Sequence, residues 1–142
     1  MTLTFENAET IAASALDVAS KREFSPLCVA VVDSGGHLLC LKRQDGATIN
    51  RPNIAIGKAS GCIGLGVGGR ALAEMADARP CFVSSLASVF PNGCVPVQGG
   101  VLIRDNTGQI QGAVGITGDT SENDELCAIR GIEAAGFTPD SG

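Results

Sequence analysis

Apolar residues recur every three to four positions near the start of the chain, with Ile11, Ala12, Ala15, Leu16 and Ala19 on one face of a run that follows Thr4. This spacing predicts an amphipathic helix reaching about Arg22, with Thr4 as its N-cap. The period then changes. LCVAVVD, residues 27–33, is a β-branched run ending in Asp-Ser-Gly-Gly, and HLLCLKR, residues 37–43, resumes the apolar pattern at once. Two such runs around a turn predict an antiparallel hairpin. The unbroken apolar stretch Cys28 to Val32 predicts a strand covered on both faces, which places helices on either side of the sheet.

Arg51 and Pro52 open a second predicted helix that runs to Ile63 through mostly small residues, proline being tolerated in a first turn. GLGVGG, residues 64–69, breaks it, and Arg70 to Ala78 predicts a short amphipathic helix. From Arg79 to Val97 the prolines at 80, 91 and 96 predict a loop-rich crossing with one helical turn near Ser85. A second hairpin is predicted from Gly99–Arg104 and Gln109–Thr117, joined by Asp-Asn-Thr-Gly. Ser121 is the expected N-cap of a last helix that stops at Gly136, with Asp124 completing a near capping box. Strands that arrive in hairpins point to an α+β fold of a single domain, 1–142, with an antiparallel sheet flanked by helices.

Composition sharpens this picture. Of 142 residues, 44% are hydrophobic and 18% charged, too apolar for a disordered acidic chain. The net charge of -5 and ten dispersed basic residues give no cationic face for a phosphate backbone, so no nucleic-acid partner is expected. The acidic N-terminal stretch lacks the pattern of an export signal, and the longest apolar runs are strand-sized, so the expectation is a cytoplasmic protein without a membrane association. The six cysteines form no CxxC or CxH pair and read as free, mostly buried thiols.

The candidates for chemistry are few. GLGVGG has dinucleotide-loop spacing, but it follows a helix instead of a strand. His37 is the only histidine, which disfavours a triad hydrolase; at a hairpin tip it is either solvent-exposed or an axial ligand to a metal. Lys58 lies among small residues, either snorkelling at a helix edge or holding an anion or acting as a base. Arg43, Asp45, Thr117 and Asp124 fall at strand ends or a helix start, where loops converge. Arg43 and Lys58 could together hold a carboxylate, with Asp124 either part of the site or only complementing the helix dipole. Gly99 and Gly100, at a strand entry, suggest close approach of backbone to another element or to a ligand. A Gly- and Ala-rich chain with this much apolar material is also expected to form homo-oligomers.

Three segments, VAVVDSGGHLLCLKRQDGA, IAIGKA and QGGVLIRDNTGQIQGAVGITGDTSENDELCAIRGI, resemble in order the signatures of the GlcG/HbpS family, formerly DUF336. The matching positions include Asp33, Gly35, Gly36, Arg43, Asp45, Lys58, Gly99, Gly100, Gly112, Gly115, Thr117, Gly118 and Asp124. The resemblance implies a profilin-like antiparallel sheet between helices, homo-oligomeric assembly, and a small-ligand pocket, with haem a possible cofactor; relatives also form the C-terminal part of cobalamin adenosyltransferases or accompany catabolic operons. The expected function is therefore binding of a small, anionic ligand such as haem or a related tetrapyrrole. The alternative is an isomerase, lyase or hydrolase of an acidic metabolite, with Lys58, Arg43 and Asp124 as catalytic groups. Gln44 stands where methionine is usual, Leu102 where proline is usual, and the variable stretch from Ala76 to Val97 carries Cys81 and Cys94, which match no family position; this stretch is expected to form part of the pocket.

Overall fold

The computed structural model describes all 142 residues. In chain order the elements are α1 (Phe5–Lys21), β1 (Cys28–Asp33), β2 (Leu38–Arg43), α2 (Arg51–Leu65), α3 (Gly69–Ala78), α4 (Pro80–Val89), β3 (Gly100–Arg104), β4 (Ile110–Thr117), α5 (Ser121–Ala134) and β5 (Thr138–Asp140). The strands form one sheet in the order β2-β1-β4-β3-β5, every pair antiparallel. This is the α+β architecture the hairpin pattern predicted. The two hairpins meet where β1 runs beside β4.

Helices cover both faces of the sheet. On one face, α1 and α5 pack over Val29, Val31, Val101, Ile103, Val114 and Ile116 and complete a core of 18 buried residues. On the other, α2 covers Val32, Leu102 and Ala113 through Ala59 and Cys62, and Cys28 and Ala30 through Ala55. Farther out, α3 and α4 share a small cluster of Leu72, Val83, Leu86 and Cys94. Thr4 caps α1 as predicted, in a reciprocal arrangement: the Asn7 main-chain N–H donates to Thr4 Oγ1 (3.1 Å), and the Thr4 N–H donates to Asn7 Oδ1 (3.0 Å).

Three expectations need correction. The first part of the stretch after Arg79 is not a loop, because Pro80 occupies the first turn of α4 and Val83 and Leu86 supply a buried face three residues apart; residues 90–97 are irregular, as expected. The N-cap of α5 is Thr120 and not Ser121: Thr120 has the extended backbone of a cap, and its Oγ1 accepts from the Asn123 N–H at 3.2 Å. Strand β5 was not foreseen, being three residues long and built around a proline that only an edge position tolerates.

Candidate functional site

The α2 side of the sheet gathers most of the residues singled out from the sequence. Helix α2 approaches β4 backbone to backbone: a Cβ on Gly115 would overlap Ala55 O and lie 2.8 Å from Ala59 N. This contact carries Lys58 into the interior, where it is 3% exposed, and it is met there by Asp124, 1% exposed. Lys58 Nζ donates to Ile116 O at 2.8 Å and to Asp124 Oδ2 at 3.3 Å. The second carboxylate oxygen of Asp124 accepts from the Asp119 N–H at 3.0 Å. One buried ion pair thus ties α2, the end of β4 and the start of α5 together. Burial draws the Lys58 ammonium below its ordinary value and pushes the Asp124 carboxyl above its own, and the attraction between the two opposes both shifts.

Gly99 and Gly100 make room for this pair. Gly99 has φ +107, and a Cβ there would lie 2.7 Å from Lys58 Nζ and 2.6 Å from Ile116 O. A Cβ on Gly100 would lie 2.7 Å from Cys62 Sγ and 2.8 Å from Lys58 O. The close approach expected of these glycines is therefore toward α2. Thr117 is buried next to the pair, and its Oγ1 accepts from Arg51 Nη1 at 2.7 Å. Arg51, at the start of α2, was not singled out in the sequence. Its signal, a cation in a first turn that contains no acid, is weak.

Arg43 lies apart from the ion pair. With Asp45 it lines an open hollow of about 530 Å³, together with Phe24, Pro26 and Gln44. Gly118, at φ +143, packs against Pro26 and Leu27 from behind. Lys58, Asp124 and Thr117 line neither this hollow nor the other one, so the structure does not bring Arg43 and Lys58 around a common ligand. The second hollow, about 280 Å³, lies in the stretch expected to contribute to a pocket and is lined by residues that include Ala76, Pro80, Val83 and Cys94.

His37 stands at the tip of the first hairpin, exposed, as its position in the sequence suggested. Asp33 Oδ1 shapes the tip by accepting from the Gly35 and His37 N–H groups, both at 2.9 Å, and Asn92 Nδ2 braces it by donating to Gly36 O at 3.2 Å. From the tip, Leu38 and Leu41 face the α2 side opposite Val32 and Ala30. Because α2 lies over the inner strands, these leucines stay 46% and 39% exposed. Arg43 follows on the same face, opposite Cys28.

The cysteines are free, and five of the six are buried. Burial pushes the Cys62 thiol up to about 12 and those of Cys40 and Cys127 to about 11, which makes them poor nucleophiles.

Residues 3–133 match the family of haem-degrading, HbpS-like proteins. The chain belongs to that family. Among solved structures, a double mutant of Streptomyces reticuli HbpS is 27% identical over 94% of this chain and 86% of its own, with a TM-score of 0.81. Klebsiella pneumoniae protein ORFY, of family DUF336, is 27% identical over 94% of this chain and 90% of its own, with a TM-score of 0.80. A PduOC:heme complex is 22% identical over 96% of this chain and 97% of its own, with a TM-score of 0.84, and attests the fold. No curated protein matches the chain. No helix is long and apolar enough to cross a membrane.

Proposed function

We propose that this HbpS-like chain binds haem or a related tetrapyrrole along the uncovered part of β2. The observation that carries this reading is the row His37, Leu38, Leu41, Arg43: an exposed imidazole, two exposed leucines on one face, then an exposed guanidinium. Six residues of strand extend about 20 Å, long enough to seat a macrocycle. The row fits haem chemically. A neutral imidazole is a common iron ligand, the leucines offer apolar contact to a porphyrin face, and Arg43, which forms no salt bridge, suits a propionate. Bound haem would supply an iron centre open to redox or oxygen chemistry, and the residues of this chain would supply its ligation and orientation.

The family description supports the same direction. Exposed Leu38 and Leu41 on β2, Ile49 before α2, and Phe82 and Val89 on α4 also support a homo-oligomer, in which a second chain would cover part of the row. A sedimentation coefficient matching a monomer at micromolar concentration would refute that assembly. Titration of haem into the protein tests the binding itself. The expected result is a Soret shift that saturates at one haem per chain, is lost in His37→Ala and is weakened several-fold in Leu41→Asp. No Soret change, or one indifferent to both substitutions, would overturn the reading.

A further inference from the structure

We propose that the hollow beside Arg43 is a binding site for a small zwitterion, a molecule carrying both a carboxylate and an ammonium group. Three observations lead to it. Arg43 and Asp45, both exposed, line the same hollow of about 530 Å³ and form no salt bridge with each other or with any other residue. A lone anion at Arg43, a haem propionate included, gains from the guanidinium but is partly opposed by Asp45, and a lone cation at Asp45 is likewise partly opposed by Arg43. A ligand with both charges satisfies both poles.

The walls are also fixed in advance. The Gln44 N–H donates to Leu27 O at 2.9 Å, and Leu27 N–H donates to Gln44 Oε1 at 2.8 Å, so one side chain closes a second hydrogen bond between the two walls. Its amide N–H groups make no hydrogen bond to the protein, which leaves them available as donors for a ligand carboxylate. Gly46, at φ +88, packs so close to Pro26 that a Cβ would lie 3.2 Å from Pro26 Cγ. Phe24 and Pro26 add the apolar surface against which a short carbon chain between the two charges can lie. The volume lies within the range of small-molecule sites.

The inference shares Arg43 with the haem reading but does not rest on haem. Its test is a calorimetric titration at low ionic strength with glycine, β-alanine, 4-aminobutanoate and 6-aminohexanoate, with acetate and methylammonium as single-charge controls. The expected result is an optimum at one chain length, where binding is at least tenfold tighter than for either control. Asp45→Asn and Arg43→Gln should each weaken that best ligand tenfold or more. His37→Ala should leave it unchanged, which separates failure of this site from failure of haem binding. Both altered side chains are exposed, so unchanged circular dichroism is expected and confirms that the fold is intact. The double reversal, Arg43→Asp with Asp45→Arg, should keep the preference for two charges over one. Equal binding of zwitterions and acetate, affinity that does not vary with chain length, or an Asp45→Asn variant that binds as the unaltered chain does would overturn the proposal.

Discussion

The two faces of the sheet are built on different principles. Toward the sheet the α1/α5 face is an ordinary core, with Ile11, Val29, Val31, Ile103, Val114, Ile116 and Ile132 interdigitating between helices and strands, while α1 and α5 meet each other closely at Gly131, where a Cβ would lie 2.5 Å from Ile11 O. The α2 face replaces bulk with proximity. Ala55, Ala59, Gly115 and Gly100 bring backbones into contact, and the few deep polar side chains, Lys58, Asp124 and Thr117, lie in or at the edge of that contact. A face packed by large aliphatic side chains can lose a methylene and relax, whereas one packed by backbone contact has no side chain to yield. The α2 face is therefore the less tolerant of substitution, and it is where buried charge is held.

The largest effect expected from this contrast is at the ion pair. Lys58→Met would leave Asp124 buried without its partner and should cost about 3–5 kcal/mol of stability, read as a lower urea midpoint. Pairing it with Asp124→Leu should recover a large part of the loss; a double variant whose loss equals the sum of the two single losses would show that the two residues are not coupled.

Backbone contact comes next. Gly115→Ala should cost about 3 kcal/mol because α2 must move off β4, whereas Ile132→Val on the opposite face should cost about 1 kcal/mol. Equal losses in thermal unfolding would erase the distinction between the faces.

A third test separates the buried pair from the turns. Asp105 accepts from the Thr107 N–H and hydroxyl, the Gln109 N–H and the Gln111 amide, and these bonds, the Thr107 hydroxyl foremost, hold its carboxyl at about 2, below its ordinary 3.8. A carboxyl whose pKa is lower in the folded state stabilises the fold above its unfolded value and loses that contribution as acid is added. Stability should therefore fall between pH 4 and 2, and Asp105→Asn should flatten that segment of the profile. An unchanged acid limb would assign the sensitivity to other carboxyls.

The smallest effect lies outside both faces. Glu23 ends α1 with φ +56, the only non-glycine residue in that region. Glu23→Gly should raise stability by about 0.5–1 kcal/mol, read as a higher thermal midpoint.

Much of this architecture could be read in the sequence, because period and turn chemistry are local. Ile11 to Ala19, the two hairpins and the Gly66 stop of α2 were all marked by spacing or by glycine. Helix α4 was hidden because the prolines at 80, 91 and 96 suggested loops, although Pro80 in a first turn is compatible with a helix and Val83 and Leu86 have helical spacing. The site was harder to read. Lys58 stood out as a cation among small residues, but nothing local indicated that its partner would be Asp124, more than sixty positions away, or that Arg43 would lie apart from both, in a hollow with Phe24 and Pro26. Such pairings are decided by which strands become neighbours.

The seam between β1 and β4 also sets an order of events for the folding chain. Each hairpin can close from sequence-local contacts on a microsecond timescale. At the seam, partners such as Asp33 and Gly112 are about 80 positions apart, so joining the two halves carries the entropy cost of closing one long loop over α2, α3 and α4. The rate-limiting step is therefore expected to be the meeting of the two hairpins, and substitutions at the seam, such as Val31→Ala or Val114→Ala, should slow folding more than equally destabilising changes in α4.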